Sequence, residues 1–426
     1  MNIRRAGAEA GKEPRTVTAD VVVVGARVAG AATATHLARA GHDVLMLDRG
    51  AFPSDTVSTH VIARSGMVLL SRLGVLQQLV EEGAPPLRRV EFASRLGSVQ
   101  RDIKDRYGTD FVLAPRRYAL DDVLQRTALA AGARLHEGFS VDVVLTDATG
   151  RAIGVHGHDE RGPVEVRAAH VVGADGLSSR VARCLGAQPT VVRPAFGACQ
   201  YAYFAGAWDA VEYHLGDGVF AGVFPTHGGE ACVWAITPEA VARRYRNGRR
   251  GGHGHPTRGG ADAALAHLLR DRLPDLADRL GPGSQQGPVR GMLRMPNHFR
   301  RAHGPGWSLV GDAGYHRDAI TGHGISDALC QAELAAAAIE ASLRCPSQEA
   351  EALADYEGHR DRMSLPIFET TVALAAFPDQ STFIELQRRL AVEIDELAEE
   401  LYDRPLPVGA PNHPSPEMKE AATHVH

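Results

Sequence analysis

The first fifty residues contain the feature that most constrains the fold: a strand, a glycine turn, a helix and a second strand. Residues 19–25 are a near-continuous valine run, as expected of a parallel strand that is buried on both faces. Residues 29–40 are rich in alanine and lack proline, which predicts a helix that ends at Gly41. Residues 42–48 then form an apolar strand that closes on an acid. This order predicts a β-α-β unit of about 30 residues.

The turn between the first strand and the helix carries part of a dinucleotide-binding fingerprint. Gly25 and Gly30 match the outer glycines of Gly-x-Gly-x-x-Gly, but Arg27 stands in place of the second glycine. Asp48 follows 23 residues after Gly25, where an acid can accept the ribose hydroxyls. The helix start offers free amides and the positive end of its dipole to a diphosphate. Alone, the motif also fits other α/β turns, so the rest of the chain has to decide.

The composition of successive segments predicts two domains with loose ends. From about residue 190 the chain favours strands with aromatic residues, and from 306 the strand, glycine and alanine-rich helix pattern of the first domain returns. We expect a flexible leader at 1–18; a discontinuous first domain at 19–87, 112–189 and 291–345; an inserted sheet domain at 88–111 and 190–290; helices at 346–402; and a flexible tail at 403–426.

Charge, hydropathy and cysteine spacing exclude several function classes. The net charge of −5 gives no global attraction for nucleic acid. No apolar run approaches the roughly 20 residues that a membrane-spanning helix needs, and the first residues lack an apolar signal segment. Five cysteines have no metal-ligand spacing, which indicates free thiols and no metal site. We therefore expect a cytoplasmic protein without nucleic-acid or membrane partners, either a monomer or a homodimer.

Three later stretches, distant from one another, decide how the opening turn is interpreted. "RRYALDD" at 116–122 places two arginines at a helix start, and "GADGLSSRVARCLG" at 173–186 is a strand end with an Asp-Gly corner. "GWSLVGDAGYHRDAITGHGISDAL" at 306–329 is a strand, a Gly-Asp turn and a loop that ends at a new helix start. An N-terminal fingerprint, a middle Asp-Gly and a late Gly-Asp thus occur in that order.

This ordered set resembles the FAD-dependent monooxygenases of the para-hydroxybenzoate hydroxylase type. The wider flavoprotein superfamily includes geranylgeranyl reductases and flavin-dependent halogenases, and the resemblance spans about residues 19–345. It implies an α/β (α+β) fold: a Rossmann-like FAD-binding domain with an inserted antiparallel-sheet substrate domain and a helical C-terminal segment. Arg27 is then a tolerated variant of the fingerprint.

The resemblance also assigns cofactor contacts by position. The opening turn would hold the FAD diphosphate, Asp48 the adenosine ribose, and Asp312 the ribityl chain, while Asp175 would lie near both flavin and nicotinamide. The loop at 321–325 would run along the pyrimidine end of the flavin, where helix amides stabilise the charge of the reduced ring. Either Arg116 or Arg117 would contact FAD, since one of them is expected to face solvent. The implied cofactor residues are Gly25, Arg27, Val28, Ala29, Gly30, Asp48, Arg49, Arg116, Arg117, Asp175, Gly311, Asp312, Gly322, His323, Gly324 and Ile325.

The implied reaction is an NAD(P)H-dependent hydroxylation of a small aromatic or natural-product substrate by molecular oxygen, through a flavin C4a-hydroperoxide. No second fingerprint is present, so NAD(P)H would bind transiently in a groove. The inserted sheet would roof a dry pocket. Its candidate lining residues are Tyr201, Tyr203, Phe220, Phe224, Trp234 and Met295, although aromatics at strand spacing are more often core. The candidate catalytic residues are His60, His316 and His323.

Departures from the family patterns keep other chemistries open. The monooxygenase loop carries a proline beside the oxygen-reacting face of the flavin, and here Ala319 or Ile320 stands at about that place. A geranylgeranyl-reductase-like enzyme would reduce an alkene, but the lysine that follows a Phe-Pro pair there is Thr226 here. A halogenase would carry a Trp-x-Trp-x-Ile-Pro element, which is not evident. A non-catalytic flavin-binding redox sensor is the alternative from a different class.

Overall fold

The structure is a computed structural model that describes residues 14–246, 260–281 and 283–410. The strands are β1 (Arg15–Val24), β2 (Val44–Leu47), β3 (Arg89–Ser94), β4 (Gly97–Asp102), β5 (Arg134–His136), β6 (Ser140–Thr146), β7 (Ala152–Asp159), β8 (Gly162–Gly173), β9 (Pro189–Arg193), β10 (Gly197–Ala205), β11 (Val211–Gly216), β12 (Val219–Pro225), β13 (Glu230–Pro238), β14 (Gln285–Leu293), β15 (Asn297–Arg300), β16 (His303–Gly304), β17 (Trp307–Leu309) and β18 (Tyr315–His316). The α-helices are α1 (Val28–Arg39), α2 (Arg64–Leu73), α3 (Leu76–Glu81), α4 (Arg117–Ala130), α5 (Arg180–Cys184), α6 (Glu239–Arg246), α7 (Ala261–Arg272), α8 (Pro274–Leu280), α9 (Gly324–Arg344), α10 (Glu349–Ala375) and α11 (Gln380–Asp403).

The predicted β-α-β unit lies at the centre of an eight-stranded sheet. Strand β1 pairs in parallel with β2 and β8, and the path continues to β17 on one side and β5 on the other. Its valines at 21–23 are fully buried, since α1, α4 and α9 pack on one face. Because the carboxyl ends of parallel strands share one edge, the turns after β1, β8 and β17 meet there.

The aromatic segment forms a second, seven-stranded sheet in the order β14-β10-β13-β12-β11-β3-β4. Its hairpin of β3 and β4 comes from the predicted insertion at 88–111 and joins through β11. One face of this sheet packs on α7 and α8, and the opposite face packs on the first domain, α10 and α11. The two sheets therefore enclose the region between the motif turns and the aromatic face.

Four boundary predictions need correction. The leader at 1–18 is wrong from Arg15 onwards, because β1 already pairs with β8 at Arg15 and Val164; residues 1–13 lie outside the described chain. The tail at 403–426 is wrong at its start, since the carbonyls of Arg404 and Pro405 accept hydrogen bonds from the buried Arg72. Residues 411–426 lie outside the description.

The other two corrections concern the inserted domain. Strand β14 continues to Leu293, beyond the predicted end at 290, because its pairing with β10 extends that far. Strand β9 does not join the seven-stranded sheet; it pairs with β15, which also pairs with β18 in a separate three-stranded sheet. Both differences come from long-range strand pairing.

Candidate active site

The opening turn and the Asp-Gly corner lie directly against each other. Gly25 has a φ of +100°, and a Cβ built on it would lie 2.3 Å from the carbonyl oxygen of Ala174. A Cβ on Gly30 would lie 1.8 Å from the carbonyl oxygen of Gly25, so the helix start packs against the turn. Glycine is therefore required at both positions by close backbone approach. Asp175, which follows Ala174, is held beside the same turn.

The late Gly-Asp turn reaches the same place from the other end of the domain. Gly311 has a φ of +62°, and a Cβ built on it would lie 2.9 Å from the Cβ of Ala29 and 3.7 Å from that of Ala328. Its amide donates to Oε1 of Gln331 at 2.9 Å. Gly311 thus lies between the first turns of α1 and α9. The three motifs meet in space.

Both helix starts carry free amide donors. The residues before α1 and α9, Arg27 and His323, make no side-chain capping bond. Amides of the first helical turn have no partner within their own helix, and they can bind an anion together with the helix dipole. Gly324 is exposed, and no neighbouring atom lies within 4 Å of a Cβ built on it. An open cradle with amides on both sides fits the diphosphate and the electron-rich ring edge of FAD.

The predicted acids differ in how firmly they are held. The carboxylate of Asp48 accepts from the amides of Ala26 at 2.9 Å and Gly50 at 2.8 Å. Asp175 accepts from the amide of Arg180 at 2.6 Å, while its other carboxylate oxygen is buried without a partner. Asp312 is exposed at the edge of the cleft. Arg49, next to Asp48, is exposed as well.

Arg27 does not strain the turn. Its φ of −88° and ψ of −164° are extended values that any residue adopts, so the backbone conformation does not require glycine here. Its guanidinium pairs with the fully buried carboxylate of Asp121 at 2.5 Å and donates to the carbonyl and hydroxyl oxygens of Ser54 at 3.1 and 3.0 Å. The side chain therefore points away from the helix axis, towards α4.

The two arginines at the start of α4 are both shielded, which corrects the expectation that one faces solvent. The side chain of Arg116 is 17% exposed and that of Arg117 is 11% exposed. Arg117 makes a bond of 2.9 Å to Asp121 one turn along, so that two arginines share one carboxylate. Arg116 instead bonds Asp55 at 2.5 Å, and its guanidinium lies 3.6 Å from the ring centre of Tyr203.

His60 connects the first domain to the seven-stranded sheet. Its Nε2 lies 2.5 Å from the hydroxyl of Tyr203, and the two rings are stacked. Burial lowers the pKa of His60 to about 3 and raises the pKa of Tyr203, so both groups are neutral at neutral pH. His60 has a φ of +70°, a strained conformation that is common at functional sites. The next residue, Val61, lies beside Gly322 in the loop at 321–325, which we call the flavin loop after its predicted role: a Cβ on Gly322 would be 3.1 Å from Cγ1 of Val61.

The other two candidate histidines are buried structural neighbours of the loop. Nε2 of His323 lies 3.2 Å from the hydroxyl of Ser65, and burial lowers the pKa of His323 to about 3. Nδ1 of His316 donates to the carbonyl of Pro296 at 2.5 Å, and its ring stacks on that of His298. His323 is placed at the start of α9 beside Ile325, whereas His316 is fixed within the three-stranded sheet.

The candidate substrate residues separate into two groups. Tyr201 and Tyr203 lie with Met295 near the flavin loop, on the face that packs against the first domain. Three others are packed into an aromatic cluster with Tyr213 of β11 and Phe383 of α11, at ring-centre distances of 5.2 to 6.3 Å. These three are Phe220, Phe224 and Trp234. They stabilise the sheet rather than line its contact with the cofactor motifs.

Sequence reasoning missed two polar groups beside the motifs. Asp121 pairs with both Arg27 and Arg117, and its pairing with Arg117 could have been predicted from the sequence, because the two residues are four positions apart on the same helix. The buried pair of Arg317 and Asp327, at 2.7 Å, has no such local pattern, since it joins a residue before the flavin loop to α9 across ten residues. Burial raises the pKa of Asp327 to about 6 despite this partner.

Membrane-spanning helices and groups of metal ligands can be looked for in the ranges that the structure covers. None of the helices there is both long and apolar enough to cross a bilayer. Within the same ranges, no three histidine, cysteine, aspartate or glutamate side chains are grouped as metal ligands.

Comparison with known proteins agrees with this geometry. The FAD binding domain family matches residues 18–246. Digeranylgeranylglycerophospholipid reductase 2 of Methanopyrus kandleri is 30% identical over 343 residues, which are 75% of this chain and 78% of that protein. A 12-dehydrotetracycline 5-monooxygenase/anhydrotetracycline 6-monooxygenase of Streptomyces rimosus is 35% identical over 169 residues, 39% of this chain and 32% of that protein.

Solved structures share the whole architecture. PqsL of Pseudomonas aeruginosa, described as a probable FAD-dependent monooxygenase, superposes with a TM-score of 0.72 at 19% identity, over 89% of this chain and 100% of that one. This likeness confirms the predicted fold class: a Rossmann-like domain, an inserted sheet and C-terminal helices. The predicted superfamily resemblance is also confirmed, because both monooxygenases and a geranylgeranyl-type reductase are similar to this chain.

Proposed function

This chain belongs to the FAD binding domain family and is an FAD-dependent oxidoreductase, and we propose that it is an NAD(P)H-dependent monooxygenase of a small aromatic substrate. Bound FAD supplies the redox chemistry, and the protein determines what reaches it. The proposed reaction consumes the substrate, O₂, NAD(P)H and one proton, and yields the hydroxylated product, water and NAD(P)⁺. The observation that carries the proposal is the buried pair of Tyr203 and His60 at the flavin loop.

This pair suits a substrate that donates a hydrogen bond. Because both groups are neutral, the hydroxyl of Tyr203 can donate to Nε2 of His60, which leaves its oxygen as an acceptor. The hydroxyl of Tyr201 donates to the carbonyl of Thr56 at 3.4 Å, and its oxygen faces the guanidinium of Arg290. The oxygen of Tyr203, in a largely apolar face, would orient a phenol or an aromatic amine.

The surroundings favour an aromatic substrate over a long hydrocarbon chain. Beyond Tyr201 and Tyr203 the inner face of the sheet is occupied by the packed cluster of Phe220, Phe224 and Trp234, which leaves no space there for a long chain. Apolar walls also exclude water, which protects a reactive oxidising species from hydrolysis. Arg116 lies over the ring of Tyr203 and helps to fix its orientation.

Substrate-stimulated oxygen use tests the proposal. The FAD-loaded protein is assayed with NADH and with NADPH against a panel of phenols and aromatic amines, while oxygen uptake and product mass are followed. We expect at least one compound to accelerate NAD(P)H oxidation and to gain one atom of ¹⁸O from ¹⁸O₂. NAD(P)H oxidation that releases only hydrogen peroxide across the panel, with no oxygen incorporated, would refute it.

Reduction of an alkene is the second candidate function. It is favoured by the match to a digeranylgeranylglycerophospholipid reductase across three quarters of this chain, whereas the monooxygenase relative matches 39% of it. The absence of a proline at about the place of Ala319 or Ile320, where the monooxygenase loop carries one, agrees with this alternative. Anaerobic loss of a substrate double bond, with no oxygen consumed, would identify it.

A further inference from the structure

The loop that follows β2 is fastened to two helices at consecutive residues. We call residues 52–60 the strap. The carbonyl and hydroxyl of Ser54 accept from Arg27, which precedes α1, at 3.1 and 3.0 Å. The next residue, Asp55, accepts from Arg116 at the start of α4 at 2.5 Å. Two arginines from different helices thus hold neighbouring residues of one loop.

The strap runs from the opening turn to the flavin loop. Just before it, Asp48 accepts from the amide of Ala26 within the opening turn. At its end, His60 bonds Tyr203 of the seven-stranded sheet, and Val61 lies against Gly322. The strap therefore connects the two regions that would bind the diphosphate and the flavin ring. The bonds between Arg27 and Ser54 lie between these two regions.

The positive charges around Asp121 outnumber the negative ones. Arg27 and Arg117 share the buried carboxylate of Asp121, and in the part of the chain that the structure describes neither arginine has another ion-pair partner. One positive charge is therefore uncompensated beside the start of α1. The planar, preorganised guanidinium fork of Arg27 bonds Asp121 and Ser54 together, a geometry that the shorter-reaching, compact ammonium of a lysine reproduces less well.

We propose that Arg27 is a positioning residue that retains FAD, by fastening the strap and α4 across the start of α1. The arginine stands in place of a fingerprint glycine, so the shared motif does not supply this contact. If FAD binds between the strap and the start of α1, its release would require the strap to move, and that movement would break the bonds between Arg27 and Ser54. The proposal rests on the binding of FAD and is independent of whether the enzyme is a monooxygenase or a reductase.

The rate of FAD release from the holoenzyme tests this role. Release is followed by the rise in flavin fluorescence after dilution, for Arg27→Ala, Arg27→Lys and Asp121→Asn. We expect release roughly tenfold faster for Arg27→Ala, which loses charge-assisted hydrogen bonds, and an intermediate rate for Arg27→Lys. Asp121→Asn should also release faster, because Arg27 then loses its anchor on α4. Arg388→Ala removes a 74% exposed arginine of α11 and should not change the rate.

The variants separate positioning from other roles. Slower release from Asp121→Asn would mean that the freed guanidinium binds the diphosphate directly, which overturns the strap mechanism. Wild-type release from Arg27→Ala also overturns it. If both variants fail to fold, Ser54→Ala removes a single bond of 3.0 Å and should release FAD about two- to fivefold faster; an unchanged rate overturns the proposal. The unfolding midpoint of the FAD-free protein should change little for Ser54→Ala, whereas a purely structural role would lower it without faster release.

Discussion

Replacing Gly324 with alanine should change the stability of the FAD-free protein and its affinity for FAD in opposite directions. Gly324 is the first residue of α9, is exposed and has open space around the position of a Cβ. Alanine is favoured over glycine in a helix by about 0.5–1 kcal/mol, and we expect the lower end at a first helical position. If FAD occupies that space, the methyl group overpacks the cleft at a cost of about 1–3 kcal/mol, which raises Kd roughly 5- to 160-fold.

The matched control is Gly358→Ala, an exposed helical glycine of α10 that also has open space at its Cβ. Urea unfolding of the FAD-free protein should show both variants stabilised, while a flavin fluorescence titration should show weaker FAD binding for Gly324→Ala alone. An FAD affinity of Gly324→Ala within twofold of the wild type would refute the reasoning, since it would remove the start of α9 from the cofactor site.

Four further outcomes follow from the contacts. Gly25→Ala should prevent folding, because the new Cβ would lie 2.3 Å from a backbone oxygen; the yield of soluble protein checks this. Tyr203→Phe should lower stability by about 1–3 kcal/mol in urea unfolding, because Nε2 of buried His60 loses its partner, and should reduce substrate-stimulated turnover while FAD stays bound. The pKa of His60 is lowered to about 3, so between pH 6.5 and 3 the unfolded chain binds a proton that the folded chain does not. The free energy of unfolding should therefore fall by about 1.4 kcal/mol per pH unit as the pH drops through that window. His60→Asn should reduce the slope of the unfolding free energy against pH, from urea titrations, by that amount. Arg72→Met should cost about 3–5 kcal/mol in urea unfolding, because Glu333, bonded to Arg72 at 2.8 Å, then keeps a buried charge whose remaining ion-pair partner is Arg404 at 4.0 Å; adding Glu333→Gln should recover part of the loss.

The parts of the fold that could be predicted are those whose signal is local. The β-α-β unit and α9 were predictable because burial on both faces selects an unbroken valine run and an alanine-rich helix, and both patterns lie within about 30 residues. The meeting of the three motifs was predictable only through resemblance. In the structure it depends on Gly311 approaching Ala29, a contact between residues 282 positions apart.

The parts that could not be predicted depend on pairing between distant, short segments. The three-stranded sheet joins Tyr315–His316, Asn297–Arg300 and Pro189–Arg193, and none of these is long enough to show a strand period. Three of the four residues of Arg15–Thr18 are polar, and they become a strand because β8 extends far enough to pair with them. The roles of the aromatic residues could not be predicted for the same reason. Strand spacing places Phe220 and Tyr203 on the same inner face, but only the position of α11 makes Phe220 a core residue.

Arg27 in place of a fingerprint glycine shows which physical requirement the motif imposes at that position. A fingerprint glycine can be required by its backbone angles, as at Gly25, or by the close approach of another group. The backbone angles of Arg27 are extended, so only the close approach of another group could exclude a side chain at this position. The side chain of Arg27 avoids such a clash because it points towards Asp121 and Ser54. The packing of α4 on α1 sets this direction. The substitution therefore replaces close access to the diphosphate with a contact that the sequence alone does not specify, and the FAD release rates of the Arg27 and Asp121 variants measure that exchange.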